Sequence, residues 1–343
     1  MNNFIYYQPT HVQQALPLLE ERWGVAELLA GGTDLLDRLK DYVSSPQKVI
    51  SLTAIQGPFR EISAIPNPSG GPPQVTVGAG VKLADIAESK LLRDYPALTT
   101  AAAQIAGPQI RNMGTLGGSL CQRNRCWYFR DEHIQCLLKG GRKCYAQEGE
   151  NQFHAIFTQG HPCVMVHPST LAPPLIALGA VAQIAGPKGT RELPLEKMFQ
   201  APSKPEQREH TLAPNEILLS VTFGGVPLPS GSRLANASYE VKQKETSDWP
   251  LVQASVAFVH LGPGNRASKV RIVLGHVAPV PLLSPEAAQE LEGKEVNEKT
   301  ATAAAEAAVA GARPLSQNAY KIPMLKAAVK RAILLAAGFK PYW

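Results

Sequence analysis

Four cysteines fall within "CQRNRCWYFRDEHIQCLLKGGRKC", Cys121 to Cys144, and the chain's fifth, Cys163, follows in "GHPCVMVHPSTLAPPL". Thiolates are soft metal ligands, so such a concentration asks for a metal or a cluster. A thiol acting as a small hydrophobe suits Cys163, between Pro162 and Val164, but not Cys126, Cys136 and Cys144 among Arg, Lys, Gln and Gly. Structural zinc sites are built from close C-x2-4-C pairs, whereas the gaps here run C-x4-C, C-x9-C and C-x7-C. An iron–sulfur cluster needs four thiolates and tolerates irregular spacing, because a loop can wrap it. Arg123, Arg125, Arg130, Lys139, Arg142 and Lys143 outnumber Asp131 and Glu132, which suits the negative charge of a thiolate-bound 4Fe–4S centre. A solvated loop surface is the plainer account of the same bases. Trp127, Tyr128 and Phe129 either shield a cluster from water or anchor the loop.

Two glycine turns offer a second chemistry. In "AGGTDL" Gly31 and Gly32 carry no Cβ, so backbone N–H groups can face an approaching anion, and an amphipathic stretch follows. "GTLGG", Gly114 to Gly118, repeats the arrangement. Both suit a pyrophosphate. Neither is a G-x-G-x-x-G or Walker motif, and each alone also reads as a plain tight turn.

Positioning these groups falls to alternating elements. "HVQQALPLLEERW" has helical spacing, "VAELLAGGTDLLDRLK" passes from an apolar run into a helix, and "PQKVISLTAI" and "PQVTVGAGV" are strand-like. "LADIAESKLLRDYPALTTAAAQIAG" predicts one helix stopped at Gly107-Pro108, and "LAPPLIALGAVAQIAG" a helix followed by a buried strand. Residues from about Lys188 to Ser232 are Pro-rich and irregular, which places a domain boundary there. Beyond it, "LVQASVAFVHLG" and "SKVRIVLGHVA" read as strands, and "EKTATAAAEAAVAGA" and "YKIPMLKAAVKRAILLAAG" as helices. There is no internal repeat.

The whole chain has 343 residues, 44% hydrophobic and 18% charged, with a net charge of +6. That length predicts two or three domains. The charge is mild, and only the cysteine segment approaches the basic stripe of a nucleic-acid binder. No apolar run reaches the ~18 residues of a membrane span. "MNNFIYYQPT" lacks the pattern of a signal peptide, and five cysteines do not form a secreted disulfide framework, so the sequence itself points to the cytoplasm.

Taken in order, "AGGTDLL", "PQIRNMGTLGGSL", "HPSTLAPPLIALGA", "SYEVKQKETSDWPLVQASVA" and "AYKIPMLKAAVKRAI" resemble the FAD-binding subunits of the xanthine dehydrogenase family of molybdenum hydroxylases. The resemblance implies an α+β protein: a two-subdomain FAD-binding domain of the PCMH/VAO type over residues 1–225, then a CO dehydrogenase flavoprotein-like C-terminal domain over 232–343. It implies that Ala30, Gly31, Gly32, Thr33, Asp34 and Leu35, with Thr115, Leu116, Gly117, Gly118 and Ser119, cradle FAD, and that Ser169 and Lys242 approach it. Thr170 stands where the family usually has a cofactor-contacting Asp, so Thr170 bonds differently or leaves that role to Ser169 or to water.

An insertion at about 120–163, some forty residues, is too long for an idle connection. It is similar to relatives carrying an extra 4Fe–4S cluster, the aldehyde oxidoreductases and the 4-hydroxybenzoyl-CoA reductases, and closer to the former. Carried over, the reductase pattern selects Cys126, Cys136, Cys144 and Cys163 as ligands and leaves Cys121 spare. The rival set takes Cys121 and leaves Cys163 as a core thiol. The implied function is electron transfer from 2Fe–2S clusters on a small partner subunit, fed by a molybdopterin cofactor on a large one, through FAD to an external acceptor. Export alongside a partner would place the chain in the periplasm. The alternatives are a reductase β subunit with reversed flow, and a zinc-stapled nucleic-acid-binding protein.

Overall fold

A computed structural model describes residues 1–244, 248–262 and 264–340. Positions 245–247 of the "SYEVKQKETSDW" motif and 341–343 lie outside the described residues. Among the described residues the architecture is α+β, as the resemblance implies, with three sheets.

A small parallel sheet opens the chain: β1 (Ile5–Tyr7), β2 (Ala26–Leu29) and β3 (Lys48–Ser51), in the order β1-β3-β2. Parallel neighbours need crossovers. The helix Val12–Ala15 serves the first and the helix Leu35–Lys40 the second. "HVQQALPLLEERW" forms only that first short helix and a 3-10 turn at Leu16–Leu18, where Pro17 supplies no amide donor. The turn "AGGTD" joins β2 to the helix Leu35–Lys40, and Gly32 takes φ +77, a conformation open to glycine.

The second sheet is antiparallel, in the order β4-β5-β8-β6-β7: β4 (Ile62–Ile65), β5 (Gln74–Gly78), β6 (Val181–Gly186), β7 (Gly189–Pro194) and β8 (Ile217–Gly224). Val75, Val77, Ile184, Val221 and Phe223 point into its core. The segment read as irregular therefore holds two strands, and β8 pairs with β5 and β6 near the centre of this sheet. The predicted single helix after β5 is two, Leu83–Glu88 and Pro96–Ala103, with a 3-10 turn at Lys90–Leu92. Pro96 cannot continue a helix but can start one. Pro108 does the same, opening the helix Pro108–Met113 that leads to the second glycine turn.

The third sheet runs β12-β11-β10-β9, from β9 (Ser232–Lys242), β10 (Pro250–Leu261), β11 (Arg266–Gly275) and β12 (Leu282–Leu283). β9 carries few apolar residues and has no strand pattern of its own. β10 is buried from Pro250 to Val259, because both its faces are covered. Val256 and Phe258 join a core with the helices Pro285–Leu291, Glu298–Val309 and Lys321–Ala337, while Ala257 joins the core of the second sheet.

The insertion follows the helix Leu116–Cys121 and is largely irregular, with one short helix, Trp127–Arg130. It has a small core of its own in Phe129, Cys136, Leu138, Cys163 and Met165.

Candidate cofactor sites

The two glycine turns are in contact. A Cβ on Gly31 would stand 1.9 Å from the Met113 carbonyl oxygen, and one on Gly117 would stand 3.0 Å from the Ala79 Cβ. The Thr115 hydroxyl caps the following helix by accepting from the Gly118 amide at 3.1 Å.

Two clefts open on either side of the joined turns. Ala30, Gly31, Gly32, Leu35 and Gly117 line the first, Ser119 and Lys242 line the second, and Thr33, Asp34, Thr115 and Gly118 line both. Leu116 is fully buried and serves packing. Ser169, also buried, faces Ser119 at 3.1 Å between hydroxyl oxygens. The Thr170 hydroxyl pairs with His276 Nε2 at 3.3 Å. Lys242 stands 2.6 Å from Glu240 and donates to the Gln104 carbonyl, so the second cleft has a charge-paired wall. Burial pushes the Glu240 carboxyl up to about 7 against the pull of Lys242.

Asp34 turns toward the insertion. Its carboxylate accepts from Arg130 at 2.5 Å, from Arg38 at 3.2 Å and from the Arg123 amide at 3.2 Å, with Arg125 at 3.4 Å. Burial opposes ionisation there, but Arg38, Arg130 and Arg125 hold the group at about 2. Glu209, wholly buried, accepts from the Asn124 amide at 3.0 Å and side chain at 2.7 Å and meets Arg123 at 2.7 Å. Arg208 stacks on Trp23 and stands 3.8 Å from Glu27. Glu27, Arg208 and Glu209 carry no local signal in the sequence. Their role depends on β2, the insertion and the Pro-rich segment meeting in space. Arg123, Arg125 and Arg130 are thus spent on flavin-domain carboxylates, not gathered round the thiols. Arg123 lines the first cleft, and its buried Nη2 has no hydrogen-bond partner among the described residues. An anionic ligand would satisfy it.

Cys126, Cys136, Cys144 and Cys163 line one common cavity with Tyr128 and Phe129. Cys121 lies elsewhere, on the first cleft against the flavin-domain core, and burial pushes its thiol up to about 12. The Cys163 thiol donates to Cys144, which favours thiolate at Cys144 and keeps the proton on Cys163. Burial raises Cys126 and Cys136. Among the described residues no three His, Cys, Asp or Glu side chains are grouped as ligands of one metal ion. A four-iron cube differs from a single ion, since each thiolate sits on a separate iron and the sulfurs stand further apart. Of the insertion's bases, Lys139 faces Cys136. Trp127 does not line the thiol cavity but an adjoining one, shared with Cys126, Phe153, Trp249 and Lys321.

Joined glycine turns under an α+β domain, backed by a second α+β domain, define a flavin-binding subunit. The model of the FAD binding domain in molybdopterin dehydrogenase matches residues 2–226, and that of the CO dehydrogenase flavoprotein C-terminal domain matches 237–336. The chain belongs to this family, the FAD-binding subunits of the molybdenum hydroxylases. It is 29% identical to the aldehyde oxidoreductase FAD-binding subunit PaoB of Escherichia coli K12, over 93% of this chain and 94% of that one. It is 28% identical to the carbon monoxide dehydrogenase medium chain of Hydrogenophaga pseudoflava, over 96% of each. A solved structure of carbon monoxide dehydrogenase from that organism, lacking the Mo-pyranopterin moiety, superposes with a TM-score of 0.72 over 98% of this chain and 97% of its own. Among the described residues no helix is long and apolar enough to cross a membrane.

Proposed function

We propose that this chain is the electron-transfer subunit of a molybdenum-dependent aldehyde oxidoreductase-type complex, and that it holds a 4Fe–4S cluster beside its FAD. The partners are a large molybdopterin-binding subunit and a small 2Fe–2S subunit, and the electrons leave for an external acceptor. The division at 225–232 separates the FAD-binding from the C-terminal domain. Support for the aldehyde class comes from PaoB, an aldehyde oxidoreductase FAD-binding subunit.

FAD supplies the redox chemistry when bound, and the protein orients it and sets its surroundings. Gly31, Gly32, Gly117 and Gly118 would offer backbone amides to the pyrophosphate, with Arg123 Nη2 as a charged donor. Thr33, Thr115 and Ser119 would hold the chain linking it to the ring, and Lys242 would lie beside the ring. Ser169 acts through Ser119, and Leu116 supports the turn from beneath.

The observation that carries the cluster reading is the convergence of Cys126, Cys136, Cys144 and Cys163 on one cavity while Cys121 faces another. Four thiols brought together in a small apolar core cost desolvation as thiolates, and bound iron offsets that cost. Single Cys→Ser variants, purified without air, test it. Loss of iron and acid-labile sulfide is expected at each of these four positions, with retention in Cys121→Ser. Iron retained in Cys163→Ser and lost in Cys121→Ser would overturn the assignment.

A further inference from the structure

His154 is 3% exposed and sits where the insertion meets the C-terminal domain. Its Nε2 lies 3.2 Å from the Cys126 sulfur. A thiolate sulfur has only lone pairs to offer, so the ring nitrogen facing it must donate. The imidazole is not free to swing away. Its edge packs against Trp127, ring centres 5.4 Å apart. Its amide donates to the Asn151 carbonyl at 3.0 Å, and Asn318 donates to its own carbonyl at 3.1 Å. Lys321, on the last helix, holds the preceding carbonyl of Phe153 at 2.9 Å. Nδ1 makes no hydrogen bond of good geometry among the described residues, with only the Asn151 backbone near the ring, so the contact to sulfur is the ring's close polar contact there. Among the four thiols, Cys126 is also the one at the mouth of the short helix Trp127–Arg130, with the Phe129 and Tyr128 amides toward its sulfur.

We propose that His154 is a positioning residue for the cluster, donating from Nε2 to the Cys126 thiolate and thereby raising the cluster's reduction potential. The inference rests on the cluster assigned above. Reduction adds one electron and no proton, so the cluster's negative charge grows and is shared onto the thiolate sulfurs. A donor aimed at one of them stabilises the reduced form more than the oxidised form. Lys321 on the helix Lys321–Ala337, and Asn318 in the turn before it, thus hold the backbone of a group that sets the energy of an electron in the insertion.

The test is a potentiometric titration of the cluster, followed by electron paramagnetic resonance in the assembled complex purified without air. His154→Phe keeps an aromatic ring against Trp127 and removes the donor. It should retain four irons and have a lower midpoint. At the wild-type midpoint its oxidised-to-reduced ratio should rise about tenfold, equivalent to 59 mV for one electron. His154→Gln, which restores an N–H donor, should stay within about twofold of wild type on the same scale. In protein labelled with 15N-histidine, pulsed resonance of the reduced cluster should show a nitrogen coupling that His154→Gln abolishes. An unchanged midpoint in iron-replete His154→Phe overturns the proposal, and so does a nitrogen coupling that survives in His154→Gln. Should His154→Phe lose its iron, the labelled wild type and His154→Gln still decide. Wild-type protein without iron and sulfide would instead overturn the underlying cluster reading.

Discussion

Asp34 shows how a residue of a glycine turn can be consumed by structure. Its carboxylate is the meeting point of Arg38, Arg125 and Arg130, and through them the glycine turn is tied to the insertion. Removing the acid leaves three guanidinium groups short of a partner in a largely dry setting. Asp34→Ala is therefore expected to cost about 3–5 kcal/mol of stability, read from denaturant unfolding. The folded-state value near 2 lies below the ordinary 3.8, so the stabilisation is complete above pH 3.8. It is lost as pH falls toward 2, and the wild-type advantage over Asp34→Asn should shrink across that window. Lys321 carries the opposite sign. Burial lowers it to about 7 from 10.5, so the unfolded chain binds more protons between those values and stability rises with pH there. The melting-temperature gap between wild type and Lys321→Met should widen from pH 7 to pH 10.

At the scale of elements, the joined turns are the most exacting feature. Gly31 has a neighbouring backbone oxygen where a side chain would begin, and Gly31→Ala should push the turns apart at a cost of about 1–3 kcal/mol. Flavin retained after gel filtration, measured by absorbance at equal protein, is expected to fall severalfold. This turn was legible in the sequence because glycine pairs beside apolar runs have a local cause. That Cys126, Cys136, Cys144 and Cys163 would come together followed only from the resemblance, since the spacing by itself left Cys121 and Cys163 as alternatives. β9 was not legible, since its burial comes from neighbours and not from an apolar pattern of its own. Nor was the role of Glu209, a lone carboxylate in a Pro-rich stretch until Arg123 and Asn124 arrive from the insertion. The insertion's bases were visible as charges, but their targets on β2 and the turn after it were not, because sequence distance hides which carboxylate an arginine reaches.

For the whole molecule, the insertion is held at its start by Asp34 and Glu209 and at its end by the C-terminal domain, where Asn151 pairs with Gln317 and Ser316. Its middle depends on the thiol cavity. Chain produced in iron-depleted medium should keep its flavin yet become open to limited proteolysis between Asp131 and Glu150. Equal protease resistance with and without iron would count against a cluster that closes this loop. β10 has a wider effect. Val252, Ala254, Val256 and Phe258 enter one core while Ala257 enters the other, so the strand is shared between them. The two halves should therefore share a single calorimetric endotherm instead of giving two separate peaks. A cavity cut beside Phe258 would then lower the temperature at which the distant flavin lets go.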